Sequence, residues 1–228
     1  MVGNLRADGT IEIQTLNHPV NLMDVPQLQK SFSLRNRDVM ELQSVVNEFM
    51  KGMTGEFWKF KMSVSFHEGG HFAVSYWKSR FMLWCSAVEA IYTSQNPDHR
   101  GSRVAKERIK WFLGGGTSIY ISGDIQSFMR KASYKVGNVV DDLYKVRNCI
   151  AHGERIPDRF FKIVPHGYLG EDGSSLTVLH DGLSFIIRAS LLRILKNNLL
   201  DHFADGPASE KYFGAAGLTN SAFKKKAP

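Results

Sequence analysis

Apolar side chains recur every three or four residues along most of this chain, and this spacing constrains the fold more than any other feature of the sequence. The interval matches the period of an α-helix that buries one face against a core. The stripe through Trp77, Phe81, Val88 and Tyr92 is one example. The same spacing predicts helices over residues 39–53, 77–92, 102–113, 123–132, 134–151 and 183–203. A chain with this pattern is expected to fold as a mainly α helical bundle.

Strict alternation replaces the helical period over residues 58–66. In the string WKFKMSVSF, large apolar residues alternate with lysine and serine, which is typical of a strand with one buried face. The alternation resumes at Phe72, Val74 and Tyr76, so it predicts a β-hairpin over residues 57–76 with HEGG near its turn. The strings FFKIV and SLTVL flank a glycine-rich turn between residues 160 and 178 and predict a second small hairpin.

Three segments follow from these patterns. Residues 1–33 contain Pro19 and Pro26 and no sustained period, which predicts an irregular or short-stranded lead-in. Residues 34–205 contain no internal repeat or linker and are expected to form one helical domain. Residues 206–228, which include the string AFKKKAP, are expected to form a basic, solvated tail.

Composition and charge favour a globular protein with a polyanionic partner. Hydrophobic residues make up 43% of the 228 residues and charged residues 22%, and no apolar run approaches the roughly 18 residues that a membrane span needs. Lysine and arginine number 29 against 22 aspartate and glutamate, which favours RNA or DNA as a partner. The first residues lack the apolar core of a signal peptide, and Cys85 and Cys149 lie in helical patterns. These features predict reduced thiols in a cytoplasmic protein.

The string FHEGGHF contains His-Glu-x-x-His, with which many peptidases hold zinc. Glu89 follows His71 by eighteen residues, near where one class of these enzymes places a third ligand. Histidines at i and i+4 share a face only on a helix, whereas the alternation predicts a hairpin. Gly69 and Gly70 would also destabilise such a helix by about 2 kcal/mol relative to alanine. A zinc peptidase is therefore a remote alternative, and no metal site is predicted.

Arg147 interrupts an apolar stripe in the helix predicted over residues 134–151. It lies four residues after Leu143 and three before Ile150, so it shares their face. A guanidinium that faces a core is costly unless it is paired or faces a cleft. Glu89, at the flank of the stripe over residues 77–92, is a candidate partner if the two helices pack. Such a pair can be purely structural or part of a site.

His152 lies five residues after Arg147 and just before Gly153, which predicts the end of the helix. Five residues turn by about 140° on a helix, so the two side chains do not share a face. They can converge only if the helix frays there, or across a symmetric dimer.

The string LYKVRNCIAHG, residues 143–153, resembles the motif of HEPN domains, in which an arginine and a polar residue are followed by a histidine. The strings RFMLWCSAVEAIYTS and RVAKERIKWFLG are similar to the helix pair that precedes this motif in the Apea-like branch of the family. The resemblance covers residues 72–153 in order and spacing. It implies a HEPN-like helical bundle, from which a hairpin at residues 57–76 would be a departure.

The resemblance also implies a homodimer whose paired motifs line a shared cleft, and a metal-independent endoribonuclease that uses no cofactor. The expected products carry 2′,3′-cyclic phosphate and 5′-hydroxyl ends. Carried over to this chain, Arg147 stabilises the phosphate and His152 is the general acid or base, which suits their chemistry near neutral pH. Asn148 would orient His152 or the substrate, and Glu89 would position Arg147. Tyr144 would serve either the site or helix packing.

Some members of the family are RNA-binding or dimerisation modules without catalysis, and this is the principal alternative. The intact Arg-Asn-x-x-x-His pattern favours catalysis. A toxin or defence role with a neutralising partner protein is a further implication. RNA is the expected ligand, and no membrane partner is expected.

Overall fold

A computed structural model of the chain describes residues 2–5, 11–14, 36–72, 76–93, 101–117, 119, 135–161, 163–165 and 172–219. Most of these residues are helical, so the prediction of a mainly α fold is confirmed. The helices are α1 (Asn36–Thr54), α2 (Trp58–Phe72), α3 (Trp77–Tyr92), α4 (Gly101–Leu113), α5 (Val136–His152), α6 (Ser175–Lys196) and α7 (Gly206–Ala215). Two short antiparallel strand pairs join β1 (Val2–Leu5) to β2 (Ile11–Gln14) and β3 (Ile163–Pro165) to β4 (Asp172–Ser174).

The chain divides into two compact units, Met1–Asn47 and Glu48–Pro228. The first contains the β1–β2 pair, in which Val2 lies opposite Gln14, and the beginning of α1. The division falls inside α1 rather than at the predicted boundary after residue 33. The second unit contains helices α2 to α7 and every residue of the candidate sites.

Helix α3 is the central helix of the second unit and packs against α2, α4, α5 and α6. Its buried face includes Phe81, Val88 and Tyr92, so the stripe predicted over residues 77–92 is confirmed. The Tyr92 hydroxyl also shares a 2.7 Å hydrogen bond with Ser190 of α6. The predicted helices at α4 and α5 are confirmed as well, whereas the helix predicted over residues 123–132 lies outside the described residues.

Residues 57–76 do not form a hairpin, and this prediction is wrong because residues 58–72 form helix α2. The buried positions of α2 include Lys59, Phe60, Ser63 and Gly70, which recur at helical intervals. Trp58, by contrast, is 66% exposed. A buried face that contains a lysine, a serine and a glycine shows no apolar stripe, so the sequence displays only the accidental alternation. Residues 58–72 therefore agree with a mainly helical fold.

The last long helix begins and ends earlier than the predicted residues 183–203. Helix α6 includes the string SLTVL, so this string is not a strand of the second predicted hairpin. The β3–β4 pair lies just before it, with residues 166–171 between the strands outside the described part. Asn198, with a positive φ of 52°, follows the end of α6. A separate 3-10 turn then covers Leu200–Phe203.

Residues 206–219 belong to the helical unit and are not a solvated tail. Helix α7 begins after Asp205, whose carboxylate accepts a 2.8 Å hydrogen bond from the backbone N–H of Ala208. Phe213 on α7 is fully buried and packs edge-on against Phe203, with ring centres 5.9 Å apart. The predicted tail is therefore wrong over these residues, and residues 220–228 lie outside the described part.

Arg108 of α4 is fully buried and attaches α7 to the body of the unit. Its Nη2 donates to both carboxylate oxygens of Glu210 at 2.9 and 2.8 Å. Its Nε donates to the Leu218 carbonyl at 3.0 Å and its Nη1 to the Tyr92 carbonyl at 3.1 Å. The guanidinium also lies 4.7 Å from the centre of the Phe213 ring. Because a buried charge requires a charged partner and hydrogen bonds, α7 completes the core.

Among the helices in the described ranges, none combines the length and apolar character needed to span a membrane. Cys85 and Cys149 are both free thiols, as predicted, and Cys85 is buried.

The two adjacent glycines of α2 provide a test of that helix. A Cβ at Gly70 would overlap the Trp84 indole, whereas a Cβ at Gly69 would meet nothing within 4 Å. We expect Gly69→Ala to stabilise the protein by about 0.5–1 kcal/mol through helix propensity. We expect Gly70→Ala to destabilise it by about 1–3 kcal/mol through overpacking. Urea unfolding measures both changes, and equal effects of the two substitutions would contradict this packing of α2 on α3.

The buried pair of Arg108 and Glu210 provides a second test. Glu210→Gln keeps the shape of the side chain but leaves a buried guanidinium without its counter-charge, so we expect a loss of about 3–5 kcal/mol. The matched control is Asp158→Asn, which removes the partner of Arg155 in a pair whose side chains are 78% and 84% exposed. That change should alter the free energy of unfolding by less than about 1 kcal/mol. Similar losses in both variants would show that Arg108 does not depend on α7.

Candidate functional site

Arg147 lies on α5 where this helix packs against α3, and Glu89 of α3 faces it. The Nη2 atom of Arg147 lies 3.3 Å from Oε1 and 3.4 Å from Oε2 of Glu89. The two side chains are 29% and 26% exposed. The predicted ion pair is therefore present. It explains an arginine on an apolar stripe and leaves both groups within reach of solvent.

Asn148 and Tyr144 adjoin this ion pair. Arg147 Nη1 donates a 3.4 Å hydrogen bond to Oδ1 of Asn148. Tyr144, three residues before the arginine, is buried. Burial and the nearby Glu89 charge raise the pKa of Tyr144 well above its usual value, so its phenol stays protonated. Neither the Tyr144 hydroxyl nor Arg147 Nε has a hydrogen-bond partner within the described residues.

His152 is exposed in the last turn of α5, and α5 is a continuous helix up to this residue. Gly153, at φ 70°, ends the helix, and the Glu154 N–H closes the turn by a 2.8 Å hydrogen bond to the Cys149 carbonyl. The helix therefore does not fray between Arg147 and His152. Helix geometry separates the two positions by about 140° around the axis and about 7.5 Å along it. One chain alone does not bring the predicted catalytic pair together.

An open cleft of about 420 Å³ lies beside Glu89. Helix α2 lines it with Trp58, Lys59 and Phe66, and α3 lines it with Ser86 and Glu89. The exposed indole of Trp58 forms part of its wall. The alternating pattern assigned these α2 residues to a strand, so sequence reasoning did not place them near Glu89.

Lys59 is the second charged group of this cleft. Its Nζ donates to the Thr93 carbonyl at 2.8 Å and to the Ile91 carbonyl at 3.3 Å, at the C-terminal end of α3. A positive charge is favoured at this end of a helix. Burial, together with the charge of Arg108, lowers the pKa of Lys59 to about 8. Lys59 is therefore a buried cation that loses its proton more easily than an exposed lysine does.

The His-Glu-x-x-His string lies on α2, so His67 and His71 share one face, contrary to the predicted hairpin turn. Their Nε2 atoms are 3.3 Å apart. Burial lowers the pKa of His67 to about 4 and also lowers that of His71, so both rings are neutral at pH 7. Glu89, the third ligand expected for a zinc peptidase, is paired with Arg147 instead. Within the described ranges, no group of three or more His, Cys, Asp or Glu residues is arranged to hold a metal ion.

No family model, curated protein or solved structure matches this chain.

The pKa of Lys59 predicts a stability effect at alkaline pH. Its pKa is about 8 in the folded protein and about 10.5 in an unfolded chain, so between these values the unfolded state binds more protons. The Lys59 contribution to stability therefore rises from pH 8 towards pH 10.5. We expect the free energy of unfolding of the wild type to increase relative to that of Lys59→Met over this range. The comparison is made by urea unfolding at several pH values.

The matched control is Lys145→Met, because the Lys145 side chain is 54% exposed. It removes a lysine without removing a buried ammonium, so it controls for the loss of a positive charge. A difference between Lys59→Met and the wild type that does not change with pH would show that the Lys59 ammonium is not destabilised by burial.

Proposed function

We propose that this protein is a metal-independent endoribonuclease of the HEPN type. Arg147 carries the proposal, because Glu89 and Asn148 hold its guanidinium on the seam of two helices while part of it faces solvent. The same helix ends five residues later in an exposed histidine. This is the Arg-Asn-x-x-x-His order to which the resemblance of LYKVRNCIAHG assigns catalysis.

The contacts of Arg147 suit a phosphate ligand. A guanidinium has five N–H donors in a planar fork, and Glu89 and Asn148 engage two of its three nitrogens. The Nε atom is buried, but the free N–H groups of Nη1 and Nη2 can bind the non-bridging oxygens of a phosphodiester and stabilise the charge that develops on them. Glu89 acts as a positioning residue, since it fixes the guanidinium without touching RNA itself.

The proposed reaction is an internal transesterification of RNA. The ribose 2′-oxygen attacks the adjacent phosphorus and the bond from phosphorus to the 5′-oxygen breaks. One His152 imidazole takes the 2′-hydroxyl proton, and an imidazolium gives a proton to the departing 5′-oxygen. The products are a 2′,3′-cyclic phosphate and a 5′-hydroxyl, so the step consumes no water and no cofactor.

The angle between Arg147 and His152 supports a site formed by two copies of the chain. Because α5 is regular through His152, one chain directs the two side chains to different sides of the helix. In a symmetric dimer the histidine of one copy can approach the arginine of the other. Each homodimer would then supply the two histidines that the acid and base steps require.

Two further features support RNA as the substrate. The chain carries a formal net charge of +7, which favours a polyanion. The cleft beside Glu89 has an exposed indole, Trp58, on which an unpaired base can stack. A toxin or defence role with a neutralising partner protein stays a prediction from the resemblance.

The activity is tested with end-labelled single-stranded and structured RNAs in the presence of EDTA. We expect cleavage to leave ends that kinase labels at the 5′-hydroxyl and that resist 3′-extension until the cyclic phosphate is removed. A single 2′-deoxy substitution at the cleaved position should abolish the cut there. His152→Ala should lower the rate by about 10²–10⁴-fold, the contribution of one acid–base group. Arg147→Lys should also lower it, because lysine lacks the planar fork.

The matched controls are His202→Ala and Arg155→Ala, which remove an exposed histidine and an exposed arginine that do not line the cleft beside Glu89. Both should cleave like the wild type. Mixing the wild type with an excess of His152→Ala should lower the activity of the wild-type chains if the site forms across a dimer, because a mixed dimer retains only one of the two histidines. If the protein bound RNA without cleaving it, and folded His152→Ala bound RNA equally well, the proposal of an enzyme would be wrong. The protein would then be a non-catalytic RNA-binding module.

A further inference from the structure

The two histidines of α2 are spaced for a shared metal ion. Their Nε2 atoms are 3.3 Å apart, and their rings are nearly perpendicular, at 89°. Two nitrogens that each bind zinc at about 2.0–2.1 Å with a tetrahedral angle lie about 3.3–3.4 Å apart. The separation is at the long end for a hydrogen bond between the rings. It therefore matches two adjacent corners of a tetrahedral site.

Neighbouring helices hold this pair in position. The indole N–H of Trp84 on α3 donates a 3.0 Å hydrogen bond to the His67 carbonyl. The same indole lies 5.5 Å from the ring centre of His67 and 4.7 Å from that of His71. Gly70 permits this approach, since a Cβ there would overlap the indole. The two imidazoles are thus preorganised rather than free to turn away.

A third donor lies next to His67. Ser184 Oγ of α6 is 3.3 Å from the same Nε2 atom of His67. His71 is exposed, so the site is open to solvent on one side and water can complete the shell of an ion. The ring of His180 also packs against the Trp84 indole, with ring centres 4.4 Å apart.

The charges around the pair determine which ions suit it. Arg80 and Arg188 lie near enough to disfavour positive charge on His71. Among the described residues, no Asp or Glu joins the two histidines in a group that could hold a metal ion. Ions that depend on oxygen ligands, such as Mg²⁺ and Ca²⁺, are therefore disfavoured. Ions that bind neutral imidazole strongly, such as Zn²⁺, Ni²⁺ and Cu²⁺, can overcome this repulsion, and salt should strengthen their binding by screening it.

We propose that His67 and His71 form a binding site for a divalent transition-metal ion, completed by Ser184 and water. Such an ion would connect α2 to α6. Trp84 and Glu89 lie five positions apart on α3, so the metal site and the Arg147 site occupy different sides of that helix. The site is independent of RNA cleavage. It also differs from a peptidase centre, whose third ligand is engaged elsewhere.

The probe is Zn²⁺ alone, titrated by calorimetry into the full chain after treatment with EDTA and dialysis. We expect saturable binding that His71→Gln weakens at least tenfold. His67→Gln should have the same effect, and the exposed-histidine control His202→Gln should have none. The wild type bound to Co²⁺ should show the intense visible absorption of a tetrahedral ion, and His71→Gln should lose it.

His67 is half-buried, so thermal unfolding of each variant without metal establishes that it folds. His71 is exposed, and His71→Gln is therefore the decisive variant. Zn²⁺ should raise the unfolding temperature of the wild type and not that of His71→Gln. Unchanged affinity in folded His71→Gln, or equal binding of Mg²⁺ and Zn²⁺ by the wild type, would overturn the proposal.

Discussion

Two buried cations meet the C-terminal end of α3, and the helical unit depends on this convergence. Lys59 donates to the carbonyls of Ile91 and Thr93, and Arg108 donates to the carbonyl of Tyr92 between them. These carbonyls lack partners within the helix, and the helix dipole adds negative potential there. Burial and, after it, repulsion from Arg108 lower the pKa of Lys59, and the carboxylate of Glu210 beside Arg108 opposes this effect. Helices α2, α4 and α7 are thereby attached to one end of α3.

The candidate site adjoins this arrangement. Glu89 lies one turn before the end that the two cations hold, and its carboxylate faces Arg147 on α5. A guanidinium in that position is oriented by the packing of two helices and not by a loop. Such placement suits a group that must meet a phosphate in a fixed geometry. His152, by contrast, lies at an exposed helix end, where only the proposed dimer would bring it to an arginine.

The sequence predicted those parts of the fold in which burial and apolar character coincide. Helices α3 and α5 follow this rule, so their stripes could be recognised, and Arg147 stood out because it broke one of them. Its pairing with Glu89 followed from the cost of an unpaired guanidinium. Helix α2 does not follow the rule, since its buried positions include Lys59 and Gly70.

Long-range contacts were also beyond reach of the sequence. Arg108 lies in an ordinary helical pattern, and only its distant partners reveal that it is buried. The sequence suggested a C-terminal tail because Glu210 and Phe213 are distant in sequence from the α4 residues that they contact, Arg108 and Phe112. The spacing of His67 and His71 identified the histidine pair, but the predicted hairpin did not bring the two rings together as helix α2 does.

The long separation between Arg108 and its partners has a consequence for the order of folding. Glu210 and Leu218 follow Arg108 by 102 and 110 residues. Until they arrive, the guanidinium must stay hydrated, so the end of α3 and the inner face of α4 cannot shed their water. We therefore expect early folding to depend on contacts between helices that lie close in the sequence, such as α2 with α3. We expect this core to close only when α7 docks, so that a chain interrupted before residue 210 retains a hydrated charge at its centre.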